Sequence, residues 1–271
     1  MWAFLCGWVS AGPGVGLSSW SLLAGVALTG PLVCGASQIV NDWYDRDVDA
    51  LNEPHRPIPS GRAPGKIALW FAITWTLIAQ TWALLLGQWV AIATCVGLAL
   101  AWAYSAPPLR LKMNGWWGNS AVAISYEGLA WITGAAIVIG GDLPPQPILL
   151  IALLYSIGAH GIMTLNDFKS VEGDLTMGIR SLPAQLGPTR AARVACLFML
   201  LPQLIVTLLL VHWSLTPFAL IVSGVVIAQL LAMRKLLRDP KQFAPWYNAT
   251  GVSLYVLGMM AVAIGLGGWL G

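Results

Sequence analysis

Apolar runs close to 20 residues long recur along nearly the whole of this 271-residue chain, and only short polar pieces separate them. A helix needs roughly 20 such residues to cross about 30 Å of hydrocarbon, so the pattern predicts a polytopic membrane protein with no room for a separate soluble domain. Composition agrees: 58% of positions are apolar and 9% charged, a balance foreign to a water-soluble domain of this size. Nine segments are expected, at 1–11, 18–40, 66–86, 88–104, 117–140, 147–165, 190–211, 215–233 and 246–269. The first, about 11 residues long, is too short to span and is expected to be an incomplete helix of a single membrane domain covering 1–271. It has no basic start and does not resemble a cleavable signal peptide, so the helices themselves are expected to insert. Cys6, Cys34, Cys95 and Cys196 each stand alone in apolar runs and read as packing residues.

The placement of charge says more than its sum. All fourteen Lys and Arg lie at even-numbered connections: Arg46, Arg56, Arg62 and Lys66; Arg110 and Lys112; Lys169, Arg180, Arg190 and Arg193; Arg234, Lys235, Arg238 and Lys241. The odd connections, around Pro13, Gly87, Asp142 and His212, hold none. Positive charge marks the cytoplasmic side, which puts the even connections there. Gly12 to Gly16 reads as a turn on the opposite side rather than a phosphate loop, because no strand precedes it. Interfacial belts account for most of the fifteen tryptophans.

Eight of the eleven acidic residues fall in two short stretches. The first holds Asp42, Asp45, Asp47, Asp49 and Glu53; the second holds Asp167, Glu172 and Asp174. Like charges beside a low-dielectric wall repel and lose hydration, so such clusters call for a cation. Asn41, Asp45 and Asp49 are spaced four apart and share a face if the second helix continues past Val40. Hard oxygen donors without His or Cys suit Mg²⁺, which binds through a few carboxylates together with substrate phosphates, and so a diphosphate ligand is implied. The second stretch repeats the Asn-Asp start at Asn166-Asp167. The two stretches, four helices apart, are expected to face each other across a central cavity.

Asn41-Asp42-Trp43-Tyr44-Asp45-Arg46-Asp47-Val48-Asp49 followed by Arg56-Pro57-Ile58-Pro59-Ser60-Gly61 resembles the first signature of the UbiA superfamily of intramembrane prenyltransferases. Asn52-Glu53-Pro54, Tyr104-Ser105-Ala106-Pro107-Pro108 and the Asn166–Asp174 stretch are similar to the chlorophyll and bacteriochlorophyll synthase branch. Tyr126-Glu127-Gly128-Leu129 and Gly158-Ala159-His160 lean to its bacteriochlorophyll side. Ser170 stands where many members carry a third acid, which raises the question of whether Glu172 replaces it. The resemblance implies an all-α fold of nine transmembrane helices around a central cavity that opens laterally to lipid and admits a prenyl chain, with the acceptor above it.

It further implies Mg²⁺-dependent transfer of a geranylgeranyl or phytyl group from its diphosphate to the propionate of bacteriochlorophyllide or chlorophyllide, in a bacterial inner membrane with the active-site loops cytoplasmic. No nucleic-acid partner is expected. On this reading Asn41, Asp45, Asp49, Asp167 and Asp174 hold the metal, with Asp42 and Glu172 as further candidates, and Asp45, Asp49, Asp167, Asp174 and Arg56 carry catalysis. Arg46, Arg56, Arg62, Lys112 and Lys169 are candidate phosphate donors, Arg110 a weaker one, and Arg234 to Lys241 are anchors. The Tyr104 hydroxyl could reach the diphosphate. Glu127 and His160 are ionisable groups inside apolar helices, expected to line the cavity; the sharper alternative for His160 is ligation of the chlorin magnesium. Related enzymes that prenylate 4-hydroxybenzoate, a naphthoate or haem would share the acidic motifs. A transporter would place its charges near the midplane rather than at one face, and a pigment-binding protein would need no diphosphate site.

Overall fold

The structure is a computed structural model that describes residues 1–12, 19–63 and 66–270. Pro13 to Gly16 of the expected turn, and the side chain of Asn52, lie outside the described residues. Helix α1 spans Trp2–Ser10. α2 runs without a break through Ser19–Ala27, Leu28–Cys34 and Gly35–Asn52. α3 is Lys66–Leu86, α4 Gln88–Ser105, and α5 joins Gly115–Ala123, Ile124–Leu129 and Ala130–Val138. α6 is Gln146–Asn166, α7 Pro188–His212, α8 Thr216–Arg238 and α9 Pro240–Leu270. Two short helices, Val171–Thr176 and Leu182–Leu186, lie between α6 and α7.

Eight of these helices are long and apolar enough to cross a membrane; α1, with 9 residues, is not. All nine expected segments are helices among the described residues, with the first short, as its sequence predicts. Three boundaries also move, one of them the end of α8, which runs to Arg238 rather than Met233. α2 continues twelve residues past Val40, because a membrane helix need not stop where its sequence turns polar. α9 starts at Pro240 rather than Trp246 and carries Pro245 in its second turn.

The connections segregate as the charge pattern requires. At one end Asn114 bridges Arg180, and Lys112 and Arg110 pair with Asp45. At the other, Trp89 N–H donates to the Gly141 carbonyl at 3.0 Å and Trp213 stacks on Trp269. Gly87, at φ +136°, makes the short α3–α4 turn and lies against Gly141, where a side chain has no room.

Hydrocarbon gives helices no hydrophobic reason to associate, so close packing and buried polar pairs must hold them. The main core runs through α5 to α9 around Trp131, Tyr155, Met199, Tyr247 and Tyr255. Gln203 on α7 and Gln229 on α8 exchange amide hydrogen bonds of 2.9 and 3.2 Å at full burial. Small residues let α1 approach α5: a Cβ on Gly7 would stand 1.9 Å from the Trp131 carbonyl oxygen. That atom is backbone and cannot swing away. Gly7→Val is expected to cost about 1–3 kcal/mol by overpacking, seen as a lower Tm in detergent. Gly224→Ala, where a Cβ meets open space, leaves Tm unchanged or raises it.

Candidate active site

Because α2 stays helical to Asn52, Asn41, Asp45 and Asp49 fall on one face, as their spacing predicts. Asn41 lines the central cavity and its amide donates to Ser105 Oγ at 3.2 Å. Asp45 is gripped from the α4–α5 connection by Lys112, with Arg110 at 3.6 Å. Asp42, Asp49 and Glu53 converge on Arg56: Nη1 lies 3.3 Å from Asp42 and 3.1 Å from Asp49, and Nε donates to Glu53. The Glu53 hydrogen bond holds the Arg56 proton more firmly than usual, against an opposing effect of burial. Burial pulls the Lys112 ammonium below the ordinary lysine value while Asp45 acts in the other direction.

The second stretch is built differently. After Asn166 the chain makes a single 3-10 turn, Asp167–Lys169, then the short helix Val171–Thr176. Asp167 accepts a 3.0 Å hydrogen bond from Asn119 on α5, and buried Asp174 accepts one of 3.1 Å from Ser170. Asn166 accepts from Asn248 of α9 at 2.6 Å. Neither Asp167 nor Asp174 makes an ion pair among the described residues. Glu172 and Lys169 are exposed.

Two backbone hydrogen bonds, Gly115 N–H to Arg180 O at 2.8 Å and Arg180 N–H to Met113 O at 3.0 Å, staple the α4–α5 connection to the segment after the second motif. Since Lys112 in that connection also holds Asp45, one basic loop ties the two acidic stretches together. Tyr104, at the end of α4, lies within electrostatic reach of Asp45, Asp167 and Asp174 together.

Below this polar rim lies a cavity of about 540 Å³ between α2, α4, α5 and α6, with Asn41 and Tyr104 among its lining and Glu127 farther in. Both π-helical stretches, Leu28–Cys34 and Ile124–Leu129, contribute to its wall. In the first, Pro31 removes an amide donor and Thr29 bonds back to the Gly25 carbonyl at 2.9 Å, a cause of local helix widening. Such bulges often mark functional surfaces.

Several expected residues are placed elsewhere. His160 does not line the cavity: its ring packs against Phe198 (4.4 Å) and Trp116 (5.8 Å), with Nδ1 3.2 Å from Ser120 Oγ. Arg46 lies over the Trp43 ring at 4.4 Å, donates to its carbonyl and pairs with exposed Asp47 at 3.7 Å, apart from Asp42, Asp45 and Asp49. Arg62 bonds within its own loop, to Ser60 Oγ and the His55 carbonyl. Lys235 of the last basic group sits over Phe243 and Trp246. Ser105, Asn119 and Asn248, which hold the acidic stretches, escaped sequence reasoning. Asn119 carried the readable signal, a buried amide in an apolar helix.

Whether these groups suit a divalent cation follows from their chemistry. All the converging donors are hard oxygens. Among the described residues no three His, Cys, Asp or Glu side chains come close enough to cage an ion alone. Mg²⁺ requires no such cage, since it is held by one or two carboxylates with water and substrate phosphates. Asp167 and Asp174, without basic partners, fit that arrangement.

Comparison with known proteins agrees with this geometry. The UbiA prenyltransferase family matches residues 1–257. The bacteriochlorophyll synthase 33 kDa chain of Cereibacter sphaeroides is 54% identical over 99% of this chain and 88% of its own. The 34 kDa chain of Chloroflexus aurantiacus is 48% identical over 98% and 85%, and the chloroplastic chlorophyll synthase of Avena sativa 36% over 97% and 72%. Among solved structures, a digeranylgeranylglyceryl phosphate synthase superposes with TM-score 0.78 at 20% identity, covering 98% of this chain and 93% of its own. A UbiA homolog from Archaeoglobus fulgidus bound to DMAPP and Mg²⁺ gives 0.71 at 18% identity, covering 97% and 95%.

Proposed function

The chain belongs to the UbiA prenyltransferase family and is a multi-pass membrane prenyltransferase, and on that premise we propose that it esterifies the propionate of bacteriochlorophyllide with a geranylgeranyl or phytyl group taken from the diphosphate. The observation that carries this reading is the pair of acidic stretches joined by Lys112 and its loop at the mouth of an apolar cavity. The 48–54% identity to bacteriochlorophyll synthases, against 36% to the Avena chlorophyll synthase, supports the acceptor. Residues 1–271 act as one domain in a bacterial inner membrane, with the basic end cytoplasmic.

In the reaction the C1–O bond of the prenyl diphosphate breaks, diphosphate leaves, and a propionate oxygen bonds to C1. The nucleophile arrives ionised, so no general base is required. Asp167 and Asp174, with Asn41, Asp45 and Asp49, would hold a Mg²⁺ ion, which would supply charge neutralisation for the leaving oxygens. Lys112 and Arg56, already poised on the acids, turn to the diphosphate as it binds and stabilise its growing charge. The Tyr104 hydroxyl donates to it from between the stretches. Apolar cavity walls such as Val33, Gly97 and Leu100 hold the prenyl chain and keep water from its allylic cation.

The test is purified protein in detergent with geranylgeranyl diphosphate and Mg²⁺, offered bacteriochlorophyllide, chlorophyllide and 4-hydroxybenzoate in separate reactions. Esterified bacteriochlorophyllide as the fastest product is expected. Prenylated 4-hydroxybenzoate alone would keep the family and overturn the acceptor.

A further inference from the structure

Glu127 is a carboxyl group set in the wall of the cavity where nothing in the proposed reaction uses it. It lies in the π-helical stretch Ile124–Leu129, it lines the cavity, and its Oε2 is buried with no hydrogen-bond partner among the described residues. It makes no ion pair there with a Lys, Arg or His. A buried polar atom left without a partner costs on the order of 1–3 kcal/mol, and a prenyl chain alongside it offers no polar atom in return. A ligand carbonyl would.

Depth narrows the choice of carbonyl. Glu127 stands eight positions beyond Asn119, which touches Asp167, so it lies about 12 Å further along α5 at 1.5 Å per residue. With the acceptor's propionate at the level of the acidic stretches, that depth passes the keto group of the fifth ring, which lies beside the propionate, and reaches the far β-position of the neighbouring pyrrole ring. There bacteriochlorophyllide carries an acetyl group and chlorophyllide a vinyl group. The acetyl has a carbonyl oxygen; the vinyl has none. Hydrocarbon favours the neutral carboxylic acid, which offers one O–H donor.

We propose that Glu127 donates a hydrogen bond to the acetyl carbonyl of the bound acceptor and thereby selects it over the vinyl analogue. The ring edge then runs down the α5 wall beside Ser125 and Glu127, with the prenyl chain against the apolar α2 and α4 side. A site built to bond a polar group discriminates against the analogue that lacks it. This rests on the proposed esterification, and the two can fail separately.

The test compares wild type, Glu127→Leu and Glu127→Gln with bacteriochlorophyllide and chlorophyllide. Resonance Raman spectra of bacteriochlorophyllide bound without prenyl diphosphate provide a second readout. In wild type the acetyl C=O stretch should be lowered by hydrogen bonding; Glu127→Leu should lose the shift and Glu127→Gln, still a neutral donor, should keep it. Glu127→Leu should lower kcat/KM for bacteriochlorophyllide about 10- to 100-fold and leave chlorophyllide within about twofold, with KM for geranylgeranyl diphosphate unchanged. An unshifted acetyl band in wild type, equal losses with both acceptors, or a raised KM for the diphosphate, as expected if Glu127 faces the prenyl chain, would overturn it. Wild type that esterifies neither tetrapyrrole would refute the proposed function itself. If Glu127→Leu does not fold, the band in wild type and Glu127→Gln decides.

Discussion

Asp167→Ala is expected to lower turnover by about 10³-fold or more, the scale set by losing stabilisation of charge on a leaving group, while the protein still folds and extracts normally. The carboxylate is held by Asn119 at 3.0 Å and has no basic partner among the described residues. Its removal therefore breaks no ion pair, and the loss should appear in the metal dependence. Titrating Mg²⁺ against turnover, and Mn²⁺ against its EPR signal without substrate, should show weaker binding in both. Asp45→Ala should be similarly inactive but also less stable, since Lys112 and Arg110 are left facing each other without their carboxylate. If Asp167→Ala retained a tenth of wild-type turnover, the second stretch would not be part of the site.

Arg56→Ala is expected to lose about 10²- to 10³-fold in turnover. In the structure this one guanidinium meets Asp42, Asp49 and Glu53. Without it three carboxylates crowd the end of α2 with no base between them. Two consequences should separate its roles. Tm should fall in the absence of Mg²⁺ and recover partly with it, because a bound cation replaces some of the missing charge. Turnover at saturating Mg²⁺ should stay low, because the diphosphate has lost a donor. Arg56→Lys should restore stability more than turnover, since a single ammonium cannot reproduce the planar fork. Full activity of Arg56→Ala at high Mg²⁺ would reduce Arg56 to a structural counter-ion.

The parts legible in the sequence were those written in local patterns. Alternation of bases between connections matches the way the connections divide between the two ends of the bundle, and the four-residue spacing of Asn41, Asp45 and Asp49 gave their shared face. What escaped depends on contacts distant in sequence. Nothing near Asp45 announces Lys112, 67 positions away, and nothing near Asp167 announces Asn119. The π-helical stretches leave no periodic signal, yet two of them shape the cavity. His160 was misplaced for a physical reason. It shares a face with Asp167 at a spacing of seven, but that face packs on α5 and α7, where Ser120 and Phe198 meet His160 and Asn119 meets Asp167, outside the cavity lining. The packing of α1 on α5 and α9 is likewise set by residues distant in sequence.

The most direct test of metal-assisted prenyl transfer to a tetrapyrrole carboxylate is to follow diphosphate release and ester formation together. Purified protein would be given geranylgeranyl diphosphate and bacteriochlorophyllide across a Mg²⁺ titration. The account predicts one diphosphate released for each ester formed, both rising with Mg²⁺ and both absent when the metal is chelated. Ester formed at full rate under chelation, or diphosphate released with no ester from folded protein, would contradict it.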